Sequence, residues 1–165
     1  MAPTIDLNII QNRMAGIALA SIIAMPLAAE TIEGSGTVCW TGDITFVGTS
    51  AADMGYTWAN EWTFMPENKD PNMLSSGVCH GSGIVVNGTP EPFPYFCKYM
   101  SSNGSTHMSR VEGGDADANG IYFGGTGAYE GMTGTNKLGA VMPLPAAEGK
   151  LAGCRPASAS ISLPG

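Results

Sequence analysis

Two stretches of this chain alternate strictly between large apolar residues and small or polar ones. In residues 38–46 (VCWTGDITF), Val38, Trp40, Ile44 and Phe46 fall on one side, with Cys39, Thr41, Asp43 and Thr45 on the other. In residues 56–64 (YTWANEWTF), Tyr56, Trp58, Trp62 and Phe64 share a side, opposite Thr57, Ala59, Glu61 and Thr63. Successive side chains of an extended chain point to opposite faces, so this period of two demands strands with one buried face. Almost no stretch of the remaining sequence has helical period.

Punctuation then sets the topology. The polar segment 66–72 holds two prolines and reads as a loop. Three Asn-Gly pairs follow, at Asn87-Gly88, Asn103-Gly104 and Asn119-Gly120, each sixteen residues after the last. Asn-Gly marks a tight hairpin, because both central residues must take positive φ. The spacing predicts strands over 77–86, 93–102, 105–113 and 120–130 as an antiparallel meander. Pro90, Pro92 and Pro94 predict a bulge or loose edge at the entry to the second of these. Residues 135–142 and 150–163 read as two closing strands. The expected fold is all-β: an antiparallel up-and-down barrel of about eight strands, a size that just fills its interior or holds one small ligand.

Residues 14–28 are an apolar run behind Arg13, ending in small residues at Ala28 and Ala29. That is the layout of a secretory signal peptide over 1–29, leaving a single domain over 30–165. The run is short of the roughly 20 apolar residues a spanning helix needs, so no stable membrane span is expected after its removal. A retained N-terminal helix or anchor is the alternative. Cys39, Cys79, Cys97 and Cys154 all follow the leader, and an even number there reads as two disulfides in an oxidising compartment, periplasmic or secreted. Three pairings are possible. Barrel closure brings the first and last strands together, which favours Cys39 with Cys154. Cys79 and Cys97 lie symmetrically about Gly88. A two-residue turn there would set Cys79 opposite Phe96, so this second bridge needs a one-residue adjustment. Zinc would need close ligand pairs, and the adjacent Cys79 and His80 point to opposite faces of a strand.

Lys and Arg number 7 against 14 acids, a net charge of −7, and removing Asp6 with Arg13 leaves it unchanged. Such a chain repels phosphate backbones, which argues against nucleic acid as a partner. Charged residues make up 13% and glycine 23 of 165 positions, which suits a compact secreted β-structure.

One segment admits two readings. Asp115, Asp117, Asn119 and Gly120 fill the first half of a calcium loop, yet its twelfth position falls on Thr126, which lacks the bidentate carboxylate. A hairpin turn explains the same residues, and Asp115, Asp117 and Asn119 remain weak calcium candidates. Downstream, GTGAYEGMTG at 125–134 resembles the signature strand of the allene oxide cyclase and dirigent barrel superfamily, with Gly125, Thr126, Gly127, Tyr129, Gly131 and Gly134 filling a G-T-G-x-[YF]-x-G-x-x-G pattern. Glycines of this kind let a strand bend at a barrel corner. The resemblance implies a small barrel, frequently oligomeric, whose apolar cavity steers cyclisation or coupling of reactive intermediates mainly by confining them. No family catalytic residue maps onto a position here.

Trp40, Trp58, Trp62, Tyr95, Tyr99 and Tyr129 are the candidate ligand-binding residues. Glu61, His107 and Arg110 are weak catalytic candidates. Glu61 faces away from Trp58 and Trp62, so it is a solvated charge if they line a cavity and a buried acid if they face outward. The Asn103-Gly104 turn would pair His107 with Met100, and a two-residue turn at Asn119-Gly120 would set Arg110 opposite Tyr129. His80 is the other histidine. No Ser-His-Asp set, phosphate loop or carboxylate pair stands out, and no cofactor is expected. Two function classes follow: binding of a small apolar molecule in the barrel, with guidance of its cyclisation or isomerisation, or a non-enzymatic module acting through its outer surface as an inhibitor or assembly subunit. A homo-oligomer suits either class. They differ in where the tryptophans point.

Overall fold

The computed structural model describes residues 29–71 and 73–164. The leader expected over 1–29 lies outside them, apart from Ala29. Among the described residues no helix is long and apolar enough to cross a membrane.

The alternating segments form two long strands, β1 (Glu30–Ser50) and β2 (Asp53–Pro66). The chain continues through β3 (Ser75–Val86), β4 (Thr89–Pro92), β5 (Tyr95–Ser101), β6 (Thr106–Gly113), β7 (Ala118–Gly125), β8 (Thr133–Leu138), β9 (Met142–Pro143) and β10 (Lys150–Leu163). Neighbours run β1-β2-β3-β5-β6-β7-β8-β10, and β10 pairs back onto β1 from Glu30↔Leu163 to Asp43↔Lys150. The sheet is therefore shut, an antiparallel barrel of eight staves with β4 and β9 as short additions. Closure removes the free edges that an open sheet would expose.

Which face turns inward follows from the apolar rows. Val38, Trp40 and Ile44 of β1 and Tyr56, Trp58, Trp62 and Phe64 of β2 all line the interior, while Asp43 and Glu61 are exposed outside. Large rings on one stave meet glycine on the next. Trp62 is paired with Gly77, Trp58 with Gly81, Tyr56 with Gly83 and Trp40 with Gly153. A methyl group built on Gly77 would lie 2.9 Å from Trp62 Cζ2, and one on Gly153 2.8 Å from Trp40 Cζ2. The glycines leave each ring room to lie across its neighbour's backbone.

Both disulfides form as expected, Cys39–Cys154 and Cys79–Cys97. The first joins β1 to β10 at the closing seam, on the outer face because Trp40 and Gly153 face inward. The second joins β3 to β5 and is buried inside. Its register needs the one-residue adjustment. Asn87 and Gly88, both at positive φ, make a two-residue turn with Val86 opposite Thr89. The ladder then breaks at Phe93 and Pro94, and β5 resumes with Cys79 opposite Cys97. Proline cannot donate to a ladder, so the slip falls where the prolines are.

Three expectations are corrected. The Asn103-Gly104 connection has three residues, with Ser101 bonded to Ser105 and only Gly104 at positive φ, so His107 pairs with Tyr99 rather than Met100. Asn119-Gly120 is no turn: both residues lie inside β7, and the hairpin tip is Gly114 to Asp117, closed by Gly114 N–H to Asp117 O at 2.9 Å. Arg110 consequently pairs with Ile121, not Tyr129. The glycine-rich signature segment is no bent strand either. β7 stops at Gly125, and a 3-10 turn at Gly127–Tyr129 leads to β8, with Gly124, Gly127 and Gly131 at positive φ. That connection is tied to the barrel end by Ala128 N–H to Ser105 Oγ (3.0 Å) and by the fully buried Met132.

Candidate functional site

The barrel is hollow. Its interior is a cavity of ≈ 1080 Å³ into which Trp40, Trp58 and Trp62 all project, together with Tyr95, Tyr99 and Tyr129. The chain has three tryptophans, so every one of them faces this space. Two unlike walls enclose it.

One wall, from β10 through β1 and β2 to β3, is the indole-over-glycine surface. Trp58 meets Tyr95 edge-on over Gly81, ring centres 5.0 Å apart, and the Cys79–Cys97 bridge sits beside them. The wall is largely apolar, broken by Asn60 and the indole N–H groups.

The other wall, on β5 to β8, is a knot of rings and hydroxyls. His107 stacks on Tyr99 at 4.5 Å and 8° between planes, and meets Tyr122 and Tyr129 edge-on. Trp62 closes on Tyr99 from the first wall at 4.5 Å. The Tyr99 hydroxyl shares a 2.7 Å hydrogen bond with Ser109 Oγ, and Ser101 Oγ donates to the Tyr129 hydroxyl at 3.0 Å. The Asn136 side chain stands near enough to Tyr122 to act on its phenol. Burial drives the acid–base behaviour here. It raises the Tyr99 phenol well above its usual 10.0 and also raises that of Tyr122, while the nearby Asn136 amide pulls Tyr122 partly back. It lowers the His107 imidazole from 6.5 to about 4. At neutral pH these groups are all uncharged, so the wall offers hydrogen bonds and no ready base. His107 Nδ1 and Asn136 Oδ1 are buried on this wall without a hydrogen-bond partner, as are Asn60 Oδ1 and Trp62 Nε1 on the first.

Arg155 stands between the walls. Its residue is 6% exposed, and it is the one cation among the residues that line the cavity. Nε donates to Gly139 O at 2.7 Å and Nη2 to Gly114 O at 3.0 Å, both carbonyls in end loops. The guanidinium also stands near the Tyr95 phenol, which is raised by burial, lowered again in part by Arg155 and nudged up by Asp115. No carboxylate pairs with it among the described residues. The ion pairs there are Arg110–Glu112 and Lys150–Asp43, both on exposed side chains. Of the acids lining the cavity, Glu30 and Asp70 belong to the opposite end of the barrel, while Asp115 follows Gly114 at Arg155's own end and raises the Tyr95 phenol slightly.

Among the sequence candidates, the six aromatic residues and His107 meet at the cavity. Glu61 and Arg110 are exposed on the outer face and take no part in it. His80 is exposed as well. Asp115 and Asp117 flank the hairpin tip and Asn119 points outward from β7; no group of three or more His, Cys, Asp or Glu among the described residues is placed to hold a metal. Sequence reasoning missed Asn60, Tyr122, Asn136 and Arg155. A signal for Arg155 existed. With Trp40 inward, Cys39 is outward, its partner Cys154 shares that face, and the next residue must therefore point inside.

No protein family's sequence profile matches the chain, and a search among curated proteins finds no relative. Among solved structures the barrel is similar to two pterocarpan synthase dirigent proteins. One aligns over 84% of this chain and 94% of its own length at 12% identity, with a TM-score of 0.49. The other aligns over 85% and 97% at 12% identity, with a TM-score of 0.40.

Proposed function

We propose that the barrel interior binds one small molecule with a flat apolar body, and that confinement between the two walls governs how a reactive guest folds or closes. The observation that carries this reading is the ≈ 1080 Å³ cavity with Trp40, Trp58 and Trp62 on its surface. Pockets for small ligands run to about 300–1,000 Å³ and are mostly apolar with a few placed polar groups, which describes this interior. Catalysis by confinement needs little from side chains, and neutral phenols with a neutral imidazole supply little. The resemblance of residues 125–134 to the dirigent and allene oxide cyclase group implies the same use of a barrel. Export belongs to the proposal too, since two disulfides suit an oxidising compartment.

Because all three tryptophans face the cavity, tryptophan emission reports on the interior. Titration with planar aromatic probes should quench it saturably at one probe per chain. Emission that stays unchanged up to millimolar probe defeats the reading.

A second, compatible role rests on a separate observation. Phe96, Met100, Met108, Ile121 and Phe123 are exposed on the outer face of β5, β6 and β7, with Met108 paired to Phe123 and with Lys98 and Arg110 set among them. An apolar patch of this kind supports self-association. Light scattering on the purified chain should give a multiple of the subunit mass, and Phe123→Glu should return it to a monomer.

A further inference from the structure

We propose that Arg155 and Tyr95 form an anion subsite inside the barrel, so that the molecule held between the walls carries a carboxylate. This rests on the reading that the interior binds a ligand, and it names the chemistry of that ligand.

A buried cation is costly unless something compensates it. The Gly114 and Gly139 carbonyls give Arg155 two dipoles but no charge. A guanidinium has N–H groups on Nε and on both Nη atoms, and these two bonds do not use them all. The unused donors belong to a side chain that lines the cavity. Tyr95 completes the site. It lines the same cavity near enough to Arg155 for the cation to act on its phenol, and its O–H is a donor that no hydrogen bond among the described residues engages. Guanidinium N–H and phenol O–H together match the two oxygens of a carboxylate. The apolar body of the same molecule then lies beside Trp58, whose ring meets Tyr95 at 5.0 Å. A neutral guest would leave Arg155 buried and unpaired. An anionic one supplies the missing charge.

The rest of the molecule opposes this preference, which makes it diagnostic. A chain of net charge −7 repels anions at long range, so any selection for a carboxylate must arise locally. Naphthalene-2-carboxylate and naphthalene-2-carboxamide have one shape and differ in charge. Calorimetric titration of the disulfide-bonded full chain at pH 7 should give at least about tenfold tighter binding of the carboxylate, the effect of a hydrogen bond to a charged group. Arg155→Gln should abolish the preference. Tyr95→Phe, which leaves both loop carbonyls bonded, should weaken the carboxylate by about tenfold and the carboxamide by less than about twofold. Equal binding of the two probes to the wild-type chain overturns the subsite while leaving the cavity's role intact, and so does a preference that survives in Arg155→Gln. If Arg155→Gln does not fold, the wild-type and Tyr95→Phe titrations still decide. Binding of neither probe overturns the interior reading, and the subsite with it.

Discussion

The two walls of the barrel solve the same packing problem in opposite ways. From β10 to β3, glycines recede so that Trp40, Trp58 and Trp62 can lie across their neighbours, and the price is a hollow in front of them. From β5 to β8, rings and hydroxyls satisfy one another: His107 on Tyr99, Tyr99 on Ser109, Asn136 beside Tyr122. Tyr99 and Tyr122 are half-buried and line the cavity. On the proposed reading the first wall receives the guest and the second holds the barrel together. A change in the second should therefore cost stability first, and a change in the first should cost binding first.

Tyr99→Ala is the sharpest test of the second wall. It removes the ring touched by Trp62, His107 and Tyr122 and strands the Ser109 hydroxyl. Losses for buried aromatics run to about 3–5 kcal/mol, and a value near the top of that range is expected from urea denaturation. A loss below about 1 kcal/mol would mean the knot of rings is not structural, and the contrast between the walls would break.

Acid probes the same wall more gently. The folded pKa of His107 is about 4 against an ordinary 6.5, because burial disfavours the cation. Between these values the unfolded chain takes up a proton that the folded one refuses. The contribution of His107 is thus complete above about pH 6.5, is lost as pH falls toward about 4, and is constant below that. The span is worth up to about 3 kcal/mol. Carboxylates also titrate in this range, so the informative quantity is the difference between wild type and His107→Gln. The variant should lose stability less steeply between pH 6.5 and 4, and parallel curves would show that His107 titrates as if exposed.

How much of this could be read beforehand also divides by wall. The faces of β1 and β2 were legible because alternation there is strict and the rings are large. Both bridges were legible because barrel closure and the Asn87-Gly88 turn fix their staves, and the prolines marked where the register slips. The second wall was less legible, since its signals are local and packing overrules them. Gly120 carries an Asn-Gly mark, yet it sits in β7 with Asn136 packed close over it, because Ala118, Gly120 and Tyr122 must share the inner face. The turn moved to Gly114–Asp117, where positive φ at Gly113 eases the bend. Arg155 was hidden for another reason: a lone charge in a row of small inward residues, Gly153, Ala157 and Ala159, draws no notice until the outer bridge fixes the face.

The smallest expected change in stability falls on the first wall, and it should carry the larger functional effect. Gly81 lies opposite Trp58, and the three atoms nearest to an added methyl group all belong to that indole. Gly81→Ala therefore meets a side chain that can tilt, not a fixed backbone, and its cost should stay within about 1–3 kcal/mol. The tilt must go somewhere. Gly81's own backbone blocks one side, so the indole turns toward Tyr95 and the hollow, into the space a guest would use. Probe affinity measured by tryptophan quenching should drop by about tenfold, comparable to 1.4 kcal/mol, in a barrel that still melts cooperatively. If affinity is unchanged while stability falls, the glycines serve packing alone and the two walls do the same job.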